Sequence, residues 1–355
     1  MTLQELLGIR LPIIQAPMAG AQSSALAIAV SNAGGLGSLP CALLGIEGMR
    51  EELSKIVAQT TKPFNVNFFC HTQPRPDPER EAAWRAALSP YFSELGVDPS
   101  AIAPTPARLP FSTEAAEGLR EFKPAVVSFH FGLPAAELLA QVRGFGAKIL
   151  SSATTVEEAR WLEAHGVDAV IAQGLEAGGH QGSFLADAAA TPTGMLALLR
   201  QVLKAVRVPV IAAGGIFDAK GVAEAIALGA AGVQVGTAYL LCPEAATGPV
   251  HRAALKSDAG RVTALTNVFT GRRARGIVNR LMRERGPMSS VVPAFPLAAS
   301  ALAPLRAKAE SAGSGDFSPL WAGQNATNCR EISAGGLTEE LAGAFAPEAI
   351  HVVTQ

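Results

Sequence analysis

The sequence predicts an α/β protein, a (β/α)8 barrel carrying a small helical lid formed by an insert and the C-terminal region. Three observations carry this. Eight short apolar segments are spread along the chain. Several are near-continuous Val/Ile/Ala runs, as strands covered on both faces require. Ala/Leu/Glu-rich stretches of helical period lie between many of them, and the spacing between some successive segments suits a right-handed βαβ unit. Eight such units favour closure into a barrel over an open sheet.

In order, the strands are expected at 12–16, 35–39, 64–69, 125–131, 148–152, 169–173, 209–213 and 232–236. The helices at 155–165 and 218–228 open on Thr155 and Asp218, residues suited to N-caps, and close before Gly166 and Gly229. Two regions break the rhythm. An insert from Cys70 to Lys123 starts with a proline-punctuated linker at 73–78 and continues as a helix over 79–95, with Trp84, Leu88 and Phe92 at helical spacing. After the eighth strand comes a long tail, with a basic run at 271–276, a helix at 296–312 and a loop at 311–317. Residues 1–70, 120–250 and about 318–355 are assigned to the barrel, its outer shell finished by the turns after Glu340. Residues 71–119 and 251–317 are assigned to the lid.

The chain has 355 residues, 49 % of them hydrophobic, and a formal net charge of -1. A large core is affordable, and a nucleic-acid partner is not indicated. Cys41, Cys70, Cys242 and Cys329 are scattered without metal-ligand spacing, as for reduced thiols, and no metal is expected. Residues 1–7 lack a secretory pattern, and no run of 18 apolar residues exists for a membrane helix. The expected location is the cytoplasm.

The stretch Ala172-Gln173-Gly174-Leu175-Glu176-Ala177-Gly178-Gly179-His180-Gln181-Gly182 follows a buried strand directly. It places a histidine on a glycine-rich loop at the strand's C-terminal end, where α/β proteins bind ligands. His180 is therefore the candidate base; a histidine that caps a loop carbonyl is the other reading. His130, ending the fourth strand, either binds an anionic substrate or packs as a core histidine. The remaining histidines, His71, His165, His251 and His351, have no comparable setting. Glu176 reads as a carboxylate that orients or solvates its loop, and the arginines of 272–275 as mostly solvated, with one of them able to draw in an anion.

Two late strands end in Gly214-Gly215 and in Gln234-Val235-Gly236-Thr237. Loops after strands seven and eight of a barrel often cradle a phosphate, with backbone N–H groups as donors. Shaping the strand-to-helix turns is the alternative. Met18 and Asn67, at the ends of early strands, and Gln173 could edge a flat polar ring; capping its own loop is the alternative for Asn67. The glycine run at 33–38 precedes a strand, so it is not a dinucleotide fingerprint.

These motifs, with Gln15-Ala16-Pro17-Met18, Gly34-Gly35-Leu36-Gly37, Asn65-Val66-Asn67, Ser128-Phe129-His130-Phe131-Gly132 and Trp321-Ala322-Gly323-Gln324, resemble those of the flavin-dependent nitronate monooxygenases, over nearly the whole chain. The resemblance implies non-covalent FMN in the barrel mouth. Its phosphate is expected on Gly214, Gly215, Gln234, Val235, Gly236 and Thr237, its ring beside Met18, Asn67, Gln173, Gly178 and Gly179, and Gln324 close by. His180 is implied as the catalytic histidine and His130 as an anion ligand. The implied reaction is detoxifying oxidation of alkyl nitronates, propionate 3-nitronate first among them, by O2 through a flavin semiquinone. A carbonyl compound and oxidised nitrogen are the products, and a monomer or homodimer is expected. The rival reading within flavin barrels is an NAD(P)H-dependent reductase of the enoyl-acyl-carrier-protein or quinone type. A non-catalytic phosphate-ligand barrel is a rival of another class, and a hydroxy-acid dehydrogenase rests on fold analogy alone.

Overall fold

A computed structural model describes residues 1–101, 108–185 and 192–345. Its strands, in chain order, are β1 (Ile13–Gln15), β2 (Gly37–Pro40), β3 (Phe64–Phe69), β4 (Val126–His130), β5 (Lys148–Ala153), β6 (Ala169–Gln173), β7 (Gly179–His180), β8 (Val210–Ala213), β9 (Gly232–Val235), β10 (Thr263–Thr266) and β11 (Ala274–Ile277). Eight of them form one parallel sheet in the order β1-β9-β8-β6-β5-β4-β3-β2. A parallel bridge between Ile14 and Leu36 brings its two ends together. This is the (β/α)8 barrel, with its strands where the apolar runs placed them.

Alternation along the strands divides the core in two. Ile14, Val126, Leu150, Ala169, Ile171, Ile211 and Ala213 point inward and pack together. Leu3 and Leu7, from a short helix at Leu3–Leu7, belong to the same cluster and plug the N-terminal mouth. Their neighbours Ile13, Val127, Ile149, Val170, Ala172, Val210 and Ala212 face the surrounding helices. Each fully buried Val, Leu or Ile contributes about 1.5–3 kcal/mol of transfer free energy, so a one-residue slip of any strand would exchange the two sets.

The expected caps form. Thr155 accepts from the Glu158 N–H at the start of Val156–Ala164, and Asp218 from the Gly221 N–H at the start of Ala219–Ala227. The insert helix Pro78–Leu95 buries Trp84, Leu88, Tyr91 and Phe92. These side chains share a separate core with the helix Ala298–Ser311 and with Val268, Phe269, Leu281 and Phe317. The helix Ala334–Ala342 buries Leu337 and Leu341 in the outer barrel core. Of the expected outer shell and insert, residues 346–355, with His351, and 102–107 lie outside the described residues. Among the described residues no helix is long and apolar enough to cross a membrane.

A three-stranded antiparallel sheet was not anticipated. β10 pairs with β11, and β11 pairs in turn with β7, Ala274 opposite His180 and Arg275 opposite Gly179. It also corrects the reading of the basic run as mostly solvated. Arg275 is 6 % exposed, its Nε donating to the Leu175 carbonyl at 2.7 Å and its Nη1 to Thr263. Arg272 lies over the Phe131 ring, 3.8 Å from its centroid, and donates to the Ser183 carbonyl. Both guanidiniums bind backbone carbonyls beside β7, Arg275 at Leu175 before it and Arg272 at Ser183 after it.

Candidate active site

The C-terminal mouth of the barrel opens into a cavity of about 450 Å³. Met18, Asn67, His130, Gln173, Gly178, Gly179, His180, Gly214, Gly215, Gln234, Val235, Gly236 and Thr237 all line it. They come from β1, β3, β4, β6, β7, β8 and β9 or the loops that follow, so the closed barrel is what brings them together. Gln324 does not line the cavity. It is exposed, and its N–H donates to the Glu176 carbonyl at 3.0 Å.

His180 is held through its backbone from two sides. Its carbonyl accepts from the amide of Gln173 at 3.0 Å and from Nε2 of His130 at 3.1 Å. A carbonyl oxygen can only accept, so His130 carries its proton on Nε2. Burial lowers the pKa of His130 to about 4, so the ring is neutral and its Nδ1 accepts from the Ser152 hydroxyl at 3.1 Å. Both ring nitrogens of His130 are thus engaged within the protein. Gln173 also accepts, through Oε1, from the Gly182 N–H at 2.7 Å, which closes the loop. A Cβ on Gly182 would come within 2.8 Å of His130 and 2.9 Å of Ser152, so this approach requires a glycine.

The His180 ring meets Thr270, whose Oγ1 is 2.9 Å from Nε2. Phe295, Trp321, Phe131 and Phe69 surround it, with ring centroids 5.3, 5.4, 6.1 and 6.2 Å away. Burial, then repulsion from Arg108, His130, Arg272 and His71, holds its pKa well below the ordinary histidine value. The imidazole is neutral at pH 7, with a lone pair available to a proton. His71, set aside in the sequence, is 4 % exposed against the Phe295 ring, and neither of its ring nitrogens has a hydrogen-bond partner among the described residues.

On the opposite wall, Gly214 and Gly215 take φ of +120° and +73°, angles that turn the backbone after β8 and that L side chains resist. Gln234 Oε1 is buried and unpartnered among the described residues. The Thr237 hydroxyl accepts from the Gly323 N–H at 3.0 Å, which leaves its own proton to donate. Asn67 spends its Nδ2 on Ser128, at 2.9 Å from Oγ, and keeps its carbonyl oxygen for the cavity. Glu176 turns away from chemistry: its carboxylate accepts from the Met195 N–H at 2.8 Å, at the start of the helix Met195–Ala205. A glycine cradle, one orphaned acceptor and free donors fit a ligand with a phosphate and a hydrogen-bonding ring. Among the described residues no group of three His, Cys, Asp or Glu could hold a metal ion.

Arg108, Thr270 and Phe295 were missed by the sequence reading. They come from the insert and the tail, and no local pattern marks them.

The comparisons agree with this geometry. The profile of one protein family, described as nitronate monooxygenase, matches residues 1–343. A nitronate monooxygenase of Pseudomonas aeruginosa is 43 % identical over 351 residues, covering 95 % of this chain and 98 % of its own. One from Paraburkholderia phytofirmans is 43 % identical over 344 residues, covering 95 % of this chain and 92 % of its own. Among solved structures, a nitroalkane oxidase from Streptomyces ansochromogenes superposes with a TM-score of 0.89 at 40 % identity, over 99 % of both chains. FabK from Thermotoga maritima gives 0.72 at 26 % identity, over 99 % of this chain and 98 % of its own.

Proposed function

The chain belongs to the nitronate monooxygenase family, and from that premise we propose that it oxidises alkyl nitronates with O2 on FMN, with propionate 3-nitronate a principal substrate. The observation that carries the reading is the neutral His180, locked in a basic aromatic cage that shares one cavity with the Gly214-Gly215 cradle.

In this reading Gly214, Gly215, Gln234, Val235, Gly236 and Thr237 hold the FMN phosphate side. Met18, Asn67, Gln173, Gly178 and Gly179 edge the ring, and Gln324 acts one step back by holding the Glu176 carbonyl. When bound, FMN supplies single-electron acceptance and reactivity with oxygen. The protein's residues do the rest. Arg108 and Arg272 make the cage electropositive, which draws in an anionic substrate. His180 takes the α-proton from a neutral nitroalkane, or hydrogen-bonds a nitronate that arrives ionised. Its depressed pKa makes it a weak base before an anion is bound, which favours the preformed nitronate. His130 and Gln173 fix the His180 backbone, and Phe295, Phe131 and Trp321 keep water from the ring. Residues 71–119 and 251–317 act as the lid, contributing Arg108 to the cavity lining and Thr270 and Phe295 to the surroundings of the His180 ring.

Oxygen consumption and flavin absorbance test the proposal. The FMN-loaded protein should consume O2 with propionate 3-nitronate, and its flavin bands should be unchanged by anaerobic NADH. Full bleaching by NADH with nitronate inert would move the chain to the reductases. A protein that binds no flavin would overturn the assignment.

A further inference from the structure

We propose that Arg108 is an anchor for a second anionic group on the substrate, so that the pocket selects nitronates carrying a carboxylate at the far end of a short chain. This rests on the nitronate reading above and adds to it a residue and a selection rule.

Two guanidiniums line the cavity, those of Arg108 and Arg306. Arg306 is spent on Glu310 at 2.7 Å. Arg108 has no carboxylate partner among the described residues, and its Nη1 is buried without a hydrogen-bond acceptor there. Burial and the nearby Arg306 push its pKa below the ordinary arginine value, yet it stays charged. A half-buried cation with a buried, unpartnered Nη1 is costly, and an anion of matching geometry removes the penalty. A carboxylate suits it, since guanidinium donors pair with two oxygens at once.

The location separates this anion from the reacting one. The nitronate carbon must reach His180. Arg108 makes no hydrogen bond to that ring; the two meet through Phe295, whose centroid lies 5.7 Å from the Arg108 Cζ and 5.3 Å from the centre of the His180 imidazole. With Phe295 between Arg108 and the imidazole, the charge assigned to Arg108 in this proposal is the carboxylate end of the substrate, and the nitronate end is left to His180. Among the described residues no acidic side chain acts on His180, and the two carboxylates that line the cavity are engaged, Glu310 with Arg306 and Glu176 with the Met195 N–H.

The test uses the FMN-loaded enzyme, two neutralising variants, Arg108→Met and Arg108→Gln, and the cation-preserving Arg108→Lys. The ratio of kcat/KM for propionate 3-nitronate to that for propyl 1-nitronate, which lacks the carboxylate, should fall by about 30-fold or more in both neutral variants and recover in part in Arg108→Lys. Succinate, a dianion of similar length that cannot be oxidised this way, serves as a binding probe read by flavin absorbance. Its affinity should exceed that of butyrate and should drop by about the same factor in Arg108→Met and Arg108→Gln. An unchanged ratio, or succinate affinity independent of residue 108, overturns the proposal. If the wild-type protein turns over no nitronate while succinate binding still depends on Arg108, the nitronate reading fails and the anchor stands. Nitronate turnover with an unaltered ratio in the variants gives the reverse.

Discussion

Nε2 of His180 and Oγ1 of Thr270 stand 2.9 Å apart, although 90 residues separate them in sequence. The contact joins the glycine loop after β6 to the turn before β11, and Thr270 is 2 % exposed. Among the described residues its hydroxyl has only longer alternatives, the Arg272 carbonyl at 3.4 Å and N–H at 3.5 Å. Thr270 is thus the positioning residue for the His180 ring. Thr270→Val keeps the shape and removes the hydroxyl. It should cost about 1 kcal/mol of stability and lower kcat roughly tenfold with a smaller change in KM. Thr270→Ser should restore most of kcat. Equal kcat values in the Val and Ser variants would show that the contact only packs.

His180→Asn removes the lone pair that accepts a proton, while the His180 backbone keeps its two partners, Gln173 and His130. Bound flavin should be retained. Activity on neutral nitroalkanes should fall by roughly 10²–10⁴-fold, and activity on preformed nitronates by less. Steady-state oxygen uptake with nitroethane and with ethyl nitronate separates the two. An equal loss on both would show that His180 binds the anion without abstracting a proton.

What could be read in the sequence and what could not divides along a physical line. The eight barrel strands were legible because burial on two faces demands runs such as Ala169-Val170-Ile171-Ala172. The His180 loop was legible because its glycines follow such a strand directly. Arg272 and Arg275 were misread because charge in a glycine-flanked run normally points to water, whereas the pairing of β11 with β7 buries Arg275 and sets Arg272 over the Phe131 ring. Arg108 and Thr270 carried no signal at all. Their contacts lie in space across Phe295 and His180, from segments that diverge widely in sequence.

Gly215 tests the phosphate side. It has φ +73°, and a Cβ there would come 3.3 Å from the Glu176 Cβ. Gly215→Ala should cost about 1–2 kcal/mol of backbone strain with partial loss of FMN. Gly215→Asp adds a carboxylate beside the phosphate and should lose far more. The ratio of flavin to protein absorbance after gel filtration measures both. Full occupancy in the Asp variant would remove this loop from the phosphate site.

Stability should fall on mild acidification, because the buried histidines resist protonation. His71, His130 and His251 have pKa values lowered from 6.5 to about 4, and His180 is shifted in the same direction, with burial the first cause in each. Between about pH 6.5 and 4 the unfolded chain therefore binds more protons than the folded one, and stability rises with pH through that window. The contribution is complete above 6.5 and is lost as pH falls toward 4. Tm should decline from pH 7 to pH 5, and the decline should be shallower in His71→Phe, which removes a buried imidazole whose nitrogens have no hydrogen-bond partner among the described residues. A Tm that is flat or rises over this range would mean these rings accept protons in the folded state. The electropositive, neutral-histidine cage around His180 would then have to be abandoned.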